Sequence, residues 1–92
     1  MADLVLYSRR GCCLCEGLQE RLEALQPPPL LQVVDVDGDP QLQGRYGLEV
    51  PVLALRQGGL TRELPRVPPR LGGERLAVWL QRQGVPLQGP PA

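Results

Sequence analysis

Three cysteines stand close together near the start of the chain, at positions 12, 13 and 15. Cys12 and Cys15 form a Cys-x-x-Cys pair, whose thiols can be oxidised reversibly to a disulfide. Residues 4–7 before them predict a short buried strand, and the residues after them predict an amphipathic helix. The unpaired N–H groups and positive dipole at the start of a helix favour the thiolate, which is the nucleophilic form of cysteine. The pattern therefore indicates thiol redox chemistry.

Other interpretations of the cysteines stay open. Cys12 and Cys15 could be small core residues, and Cys13 could tune the redox potential, serve as a spare thiol, or simply be tolerated. Three close thiols could also hold zinc or part of an iron–sulfur cluster, although such sites usually need four ligands. The sequence has no fourth cysteine and no histidine. A metal site would thus need Glu16, glutathione or a second subunit, and it is the less favoured alternative.

Composition narrows the class of protein. The 92 residues are enough for one domain with a modest core. Ten arginines balance ten acidic residues, and this neutral net charge argues against a nucleic-acid-binding protein. No signal peptide and no apolar run of about 20 residues is visible, so we expect a cytoplasmic protein without a membrane interaction. In a reducing compartment a Cys-x-x-Cys pair is more often catalytic or metal-binding than structural.

The hydrophobic pattern and the turn residues predict an alternation of strands and helices. Leu14, Leu18, Leu22 and Leu25 share one face of the first helix. Residues 30–36 are almost continuously apolar, which is typical of a parallel strand covered on both faces. Asp39 and Pro40 are suited to cap and begin a short helix. The predicted elements are strand 4–7, helix 13–25, strand 30–36, helix 40–46, strand 50–55, strand 60–64 and helix 73–83.

This order predicts an α/β fold, with a four-stranded mixed sheet and helices on both faces. The strand-helix-strand start requires a right-handed parallel crossover, and the two strands joined by residues 57–59 must form an antiparallel hairpin. Leu76, Ala77 and Leu80 should point inward from the last helix. We expect residues 1–84 to form the domain and residues 85–92 to be a flexible tail.

The chain resembles the thioredoxin fold in its small, glutaredoxin-sized form over residues 3–83. The segment Tyr7-Ser8-Arg9-Arg10-Gly11-Cys12-Cys13-Leu14-Cys15 is similar to the start of small glutaredoxin-like proteins, which is Tyr-Ser-x-x-Gly-Cys-x-Leu-Cys. The Val50-Pro51 pair that opens the third strand and the Gly72-Gly73 pair before the last helix also match glutaredoxins.

The resemblance implies a role for several residues. Cys12 corresponds to the exposed attacking cysteine, and Cys15 to the resolving cysteine one helical turn deeper. Pro51 corresponds to a cis-proline beside the pair that holds the substrate backbone, while Val50 supplies adjacent backbone hydrogen-bonding groups. Arg9 falls where glutaredoxins carry a lysine that lowers the pKa of the thiol and contacts glutathione.

Together these features predict a monomeric thiol–disulfide oxidoreductase without a resident cofactor. Its substrate would be a protein disulfide or a small disulfide, and glutathione is a candidate co-substrate. Two alternatives from other classes remain. One is a non-catalytic binding module that uses a groove at Pro51, and the other is a carrier of a metal or an iron–sulfur cluster.

Overall fold

The computed structural model describes residues 2–26 and 28–85. In this part of the chain, four strands and three α-helices alternate as the sequence predicts. Their bounds are β1 Ala2–Ser8, α1 Cys13–Glu23, β2 Leu31–Asp35, α2 Pro40–Tyr46, β3 Val52–Gln57, β4 Leu60–Glu63 and α3 Gly73–Arg82, with a 3₁₀ turn Val36–Gly38 before α2.

The strands form one mixed sheet in the order β2-β1-β3-β4. β1 pairs in parallel with β2, and it pairs antiparallel with β3. β3 and β4 form the predicted hairpin, in which Leu60 pairs with Gln57. Gly58 and Gly59 both have positive φ, at 60° and 82°, as tight hairpin turns of this kind require. The predicted mixed sheet and its hairpin are confirmed.

Side chains alternate between the two faces of the central strands. Leu4 and Leu6 of β1 pair with Leu55 and Leu53 of β3, and all four are almost fully buried. They belong to a core that also contains apolar side chains of α1 and α3, namely Leu18, Leu22, Leu76 and Leu80. On the other face Tyr7 of β1 stacks on Tyr46 of α2, with ring centroids 4.5 Å apart. Helices therefore cover both faces, as predicted.

Two sequence predictions about burial are wrong. β2 is an edge strand that pairs only with β1 within the described sheet, and Val33 at its centre is 42% exposed. It is thus not covered on both faces. Leu14 is 60% exposed, whereas the other members of its predicted face, Leu18, Leu22 and Leu25, are buried. In the first turn of α1 the buried position is held by Cys15, which is completely buried, and Leu14 lies beside that face.

The predicted helix boundaries hold to within two residues. The Asp39 side chain accepts a 2.8 Å hydrogen bond from the Gln41 N–H, which caps α2, and Pro40 is its first residue. α1 ends at Glu23, two residues before the predicted end, although Leu25 is still buried. None of the helices in the described part of the chain combines the length and the apolar character needed to cross a lipid bilayer.

The predicted tail lies almost wholly outside the described residues. Its first residue, Val85, is 4% exposed and belongs to the core cluster. The Val85 N–H also donates to the Leu80 carbonyl at 3.0 Å, beyond the turn at Gly84, where φ is 88°. The packed domain thus extends at least to Val85.

Candidate active site

Cys12 lies at the N-terminal end of α1. Its backbone is extended, with φ −86° and ψ 109°, and its carbonyl accepts the Glu16 N–H of the first helical turn at 3.0 Å. The Cys12 sulfur accepts a hydrogen bond from the Cys15 N–H at 3.2 Å. The sulfur therefore caps the helix, where free N–H groups and the helix dipole stabilise negative charge.

The turn before Cys12 sets this position. Gly11 has a φ of 81°, a region that only glycine adopts without strain. The Cys12 N–H donates to the Arg9 carbonyl at 3.1 Å and closes the turn. The short turn after β1 therefore places Cys12 at the start of α1, as the strand-to-helix junction in the sequence predicts.

Cys12 and Cys15 are joined by a disulfide, with Cα atoms 5.2 Å apart. This separation is within the usual range for disulfides. Cys15 is completely buried, whereas Cys12 is half-buried. An incoming sulfur would reach Cys12 first. Cys13 is exposed and unpaired within the described part of the chain.

The Val50–Pro51 peptide bond is cis, as the resemblance predicts. Pro51 lines the same cavity as Leu14, the residue between Cys13 and Cys15, so the proline lies beside the cysteine turn. The Val50 N–H already donates to the Tyr46 carbonyl at 3.0 Å. The backbone group that Val50 could offer a substrate is therefore its carbonyl oxygen.

Arg9 is held by Asp37. The Nε and Nη2 atoms of Arg9 contact the Asp37 carboxylate at 3.0–3.2 Å in a forked ion pair. Gln43 donates to the same carboxylate at 3.2 Å. The Arg9 guanidinium is thus paired at the 3₁₀ turn before α2, while the Arg9 backbone carbonyl supports the cysteine turn.

A second polar group, which we call the tyrosine cluster, consists of Tyr7, Arg45, Tyr46 and Glu63. The Tyr46 hydroxyl donates to Glu63 at 2.6 Å, and Arg45 donates to the same carboxylate oxygen at 2.9 Å. Burial and this bond to Glu63 raise the pKa of Tyr46 from 10.0 to about 12. The hydrogen bond from Tyr46 lowers the pKa of Glu63, and Arg45 adds to this effect.

Sequence reasoning missed the loop after β4. Arg66, Val67 and Pro69 from this loop line the cavity with Pro51. Arg21 of α1 fastens the loop by donating to the Leu71 carbonyl at 2.6 Å. The sequence signal for this cavity was Leu14, an apolar residue inside the Cys-x-x-Cys segment, but the helical pattern alone assigns Leu14 to the core.

Among the described residues, no three Cys, Asp or Glu side chains are grouped as a metal site.

Comparison with known proteins identifies a family and a fold. The sequence profile "Glutaredoxin-like domain (DUF836)" matches residues 3–81. The structural genomics target protein XcR50 from X. campestris is 33% identical, with a TM-score of 0.59 over 87% of this chain and 97% of that chain. None of the curated proteins matches this chain.

Two more distant structures show the fold alone. The first thioredoxin domain of mouse protein disulfide-isomerase A4 is 14% identical, with a TM-score of 0.54 over 98% of this chain and 68% of that chain. A malarial protein is also 14% identical, with a TM-score of 0.56 over 90% of this chain and 97% of that chain. The sheet and helices described above are therefore those of a thioredoxin-like fold.

Proposed function

Because the chain belongs to the glutaredoxin-like domain family (DUF836), we propose that it is a thiol–disulfide oxidoreductase working through Cys12 and Cys15. The observation that carries this proposal is the difference between the two sulfurs. Cys12 is half-exposed on the end of a helix, whereas Cys15 is buried behind it and within bonding distance. This arrangement suits an attacking thiol and a resolving thiol.

The reaction would begin from the dithiol. The Cys12 thiolate attacks one sulfur of a substrate disulfide, forming a mixed disulfide, and the other substrate sulfur leaves as a thiolate that takes up a proton. The Cys15 sulfur, once deprotonated, then attacks the Cys12 sulfur. This step forms the Cys12–Cys15 disulfide and releases the second substrate thiol. The substrate gains two electrons and two protons, which two molecules of a thiol such as glutathione would return to the protein, leaving as their disulfide.

The residues around the pair have proposed supporting roles. Pro51 would hold the substrate backbone beside Cys12, and the Val50 carbonyl would accept a hydrogen bond from it. Arg9 would contact an anionic part of the substrate from its partly exposed ion pair with Asp37. We expect the protein to act as a monomer in the cytoplasm, where glutathione is available for recycling.

The test is reduction of hydroxyethyl disulfide, with glutathione and a coupled enzyme to measure turnover. We expect Cys12→Ser to remove the activity, while Cys13→Ser, a matched change of an exposed neighbouring cysteine, retains it. Cys15→Ser should instead accumulate a mixed disulfide with Cys12, visible by mass spectrometry. A wild-type protein no faster than Cys12→Ser would overturn the proposal and leave a binding module as the function of the fold.

A further inference from the structure

A groove leads away from the cysteine turn, with a cavity volume of about 100 Å³. Its apolar wall comes from three separate parts of the chain, because Leu14 belongs to α1, Pro51 precedes β3, and Val67 and Pro69 belong to the loop after β4. Arg21 and Arg66 also line it. We call this the Leu14 groove, and it joins the residue between the cysteines to the cis-proline.

The apolar wall has room for one side chain. An engineered apolar cavity of about 150 Å³ accepts a benzene ring, so the Leu14 groove suits an aliphatic side chain of medium size. Leu14 is 60% exposed within the Cys-x-x-Cys segment itself. Covering its apolar surface with a substrate side chain would favour binding next to Cys12.

The two arginines give the groove a positive charge. Arg21 donates to the Gly17 and Leu71 carbonyls, and Arg66 donates to the Glu49 carbonyl at 3.2 Å. Backbone carbonyls satisfy these donors but carry no net charge. Within residues 2–26 and 28–85, neither guanidinium takes part in an ion pair, and the lining of the Leu14 groove contains no acidic side chain. The groove thus complements an anionic group beside an apolar one.

We infer that the preferred substrates are protein disulfides whose attacked cysteine is flanked by an apolar residue and then by an acidic residue. This inference rests on the proposed oxidoreductase function and names the substrate class of the same site. The apolar residue would fill the Leu14 groove, and the carboxylate would meet Arg66 at its edge. Glutathione disulfide carries carboxylates but no aliphatic side chain to fill the groove, so a protein segment is the better match.

Binding in the groove would act on the rate of the first step. It would place the substrate disulfide against Cys12 and so reduce the entropy lost in reaching the reactive geometry. Attraction between the arginines and an acidic segment would also speed the encounter, and salt would weaken this effect.

The experiment uses symmetrical disulfides of three short peptides that differ only in the two residues after the cysteine: Leu-Glu, Leu-Lys and Ser-Glu. The second-order rate constant for oxidation of the reduced wild-type protein is measured for each at low salt. We expect the Leu-Glu peptide to react about fivefold faster than the Leu-Lys peptide, as one or two exposed charge pairs would produce. The rate constant for the Leu-Glu peptide should also exceed that for the Ser-Glu peptide.

Matched variants assign each preference to its residue. Arg66→Gln should reduce the Leu-Glu to Leu-Lys ratio to about twofold. Arg70→Gln, at a residue that is also exposed and in the same loop but outside the groove lining, should leave this ratio unchanged. Leu14→Ser should reduce the Leu-Glu to Ser-Glu ratio. Leu48→Ser, at a fully exposed leucine elsewhere, should not. Ratios within one variant cancel any general loss of activity.

Equal rates for the three peptides would overturn the inference. So would a Leu-Glu to Leu-Lys ratio that Arg66→Gln leaves unchanged, or a reaction with glutathione disulfide that is faster than with the Leu-Glu peptide. In each of these cases the protein still reacts, so the proposed oxidoreductase function stands. If the wild type reduces neither the peptides nor hydroxyethyl disulfide, the proposed function fails and the substrate preference fails with it.

Discussion

The cysteine turn and the tyrosine cluster differ in how their polar atoms are satisfied. In the tyrosine cluster the Tyr46 hydroxyl and the Arg45 guanidinium both donate to Glu63, so charge and hydrogen bonds are matched inside the group. In the cysteine turn the half-exposed Cys12 sulfur meets one backbone N–H, from Cys15. A matched network stabilises the fold, whereas a sulfur left open on a helix end is available for reaction.

The sharpest test of this contrast is the relative reactivity of the two paired sulfurs. In the reduced protein, iodoacetamide should alkylate Cys12 at least about 100-fold faster than Cys15, because access and thiolate character both favour Cys12. Cys12 should still react at pH 6, where free cysteine is almost wholly protonated. Peptide mapping by mass spectrometry over time gives both rates, with exposed Cys13 as an internal reference. Similar rates for Cys12 and Cys15 would remove the basis for their separate roles.

The next largest effect concerns the tyrosine cluster. Tyr46→Phe keeps the ring stacked on Tyr7 but removes the donor to Glu63, so we expect the free energy of unfolding to fall by about 1–2 kcal/mol. The disulfide-reduction rate should not change. Urea unfolding measures the free energy of unfolding, and the hydroxyethyl disulfide assay measures the reduction rate. Tyr7→Phe is the matched control, because no hydrogen bond involves the Tyr7 hydroxyl in the described part of the chain.

The same pair predicts how stability depends on pH. The lowered pKa of Glu63 means that its contribution is present above the ordinary value of 4.5 and is lost as pH falls through the lowered pKa. The pKa of Tyr46, raised to about 12, means that its contribution is present below pH 10.0 and is lost as pH rises towards 12. Urea unfolding at pH 3, 7 and 10.5 should show that the advantage of the wild type over Tyr46→Phe is largest at pH 7 and smaller at both extremes. A constant difference between them would contradict the coupling.

Local signals predicted much of the fold. Asp39-Pro40 caps and begins α2, and the glycines of the hairpin turn adopt positive φ. Both effects involve residues close together in the sequence, so a short sequence pattern is enough to predict them. The Cys-x-x-Cys pair was found for the same reason. The cis bond before Pro51 needed the family resemblance, because most bonds before proline are trans.

Long-range packing explains what was missed. Helical periodicity groups Leu14 with the buried leucines, but it cannot indicate that Cys15 takes the buried position in the first turn of the helix. An apolar segment such as residues 31–35 likewise does not reveal that its strand lies at the edge of the sheet. The tyrosine cluster joins positions 7, 46 and 63, and no spacing rule connects residues so far apart in the sequence.

The smallest expected effect concerns Arg9, which links the cysteine turn to a matched ion pair. The resemblance predicts that its charge assists the thiol, yet its guanidinium is forked onto Asp37 at 3.0–3.2 Å. Both side chains are about one-third exposed, at 34% and 38%, and exposed ion pairs contribute only about 0.2–1 kcal/mol. Asp37 therefore neutralises the charge without holding it firmly.

Asp37→Asn should release this charge, since the amide keeps an acceptor for Gln43 but loses the attraction for Arg9. If Arg9 can assist Cys12, iodoacetamide alkylation of Cys12 at pH 6 and low salt should accelerate about twofold, because an exposed charge acts weakly through water. Arg9→Gln alone should change the rate little, and adding it to Asp37→Asn should abolish the acceleration. A tenfold loss in Arg9→Gln would instead mean that Arg9 already stabilises the thiolate while paired. Arg9 would then belong both to the ion pair with Asp37 and to the environment that activates the Cys12 sulfur.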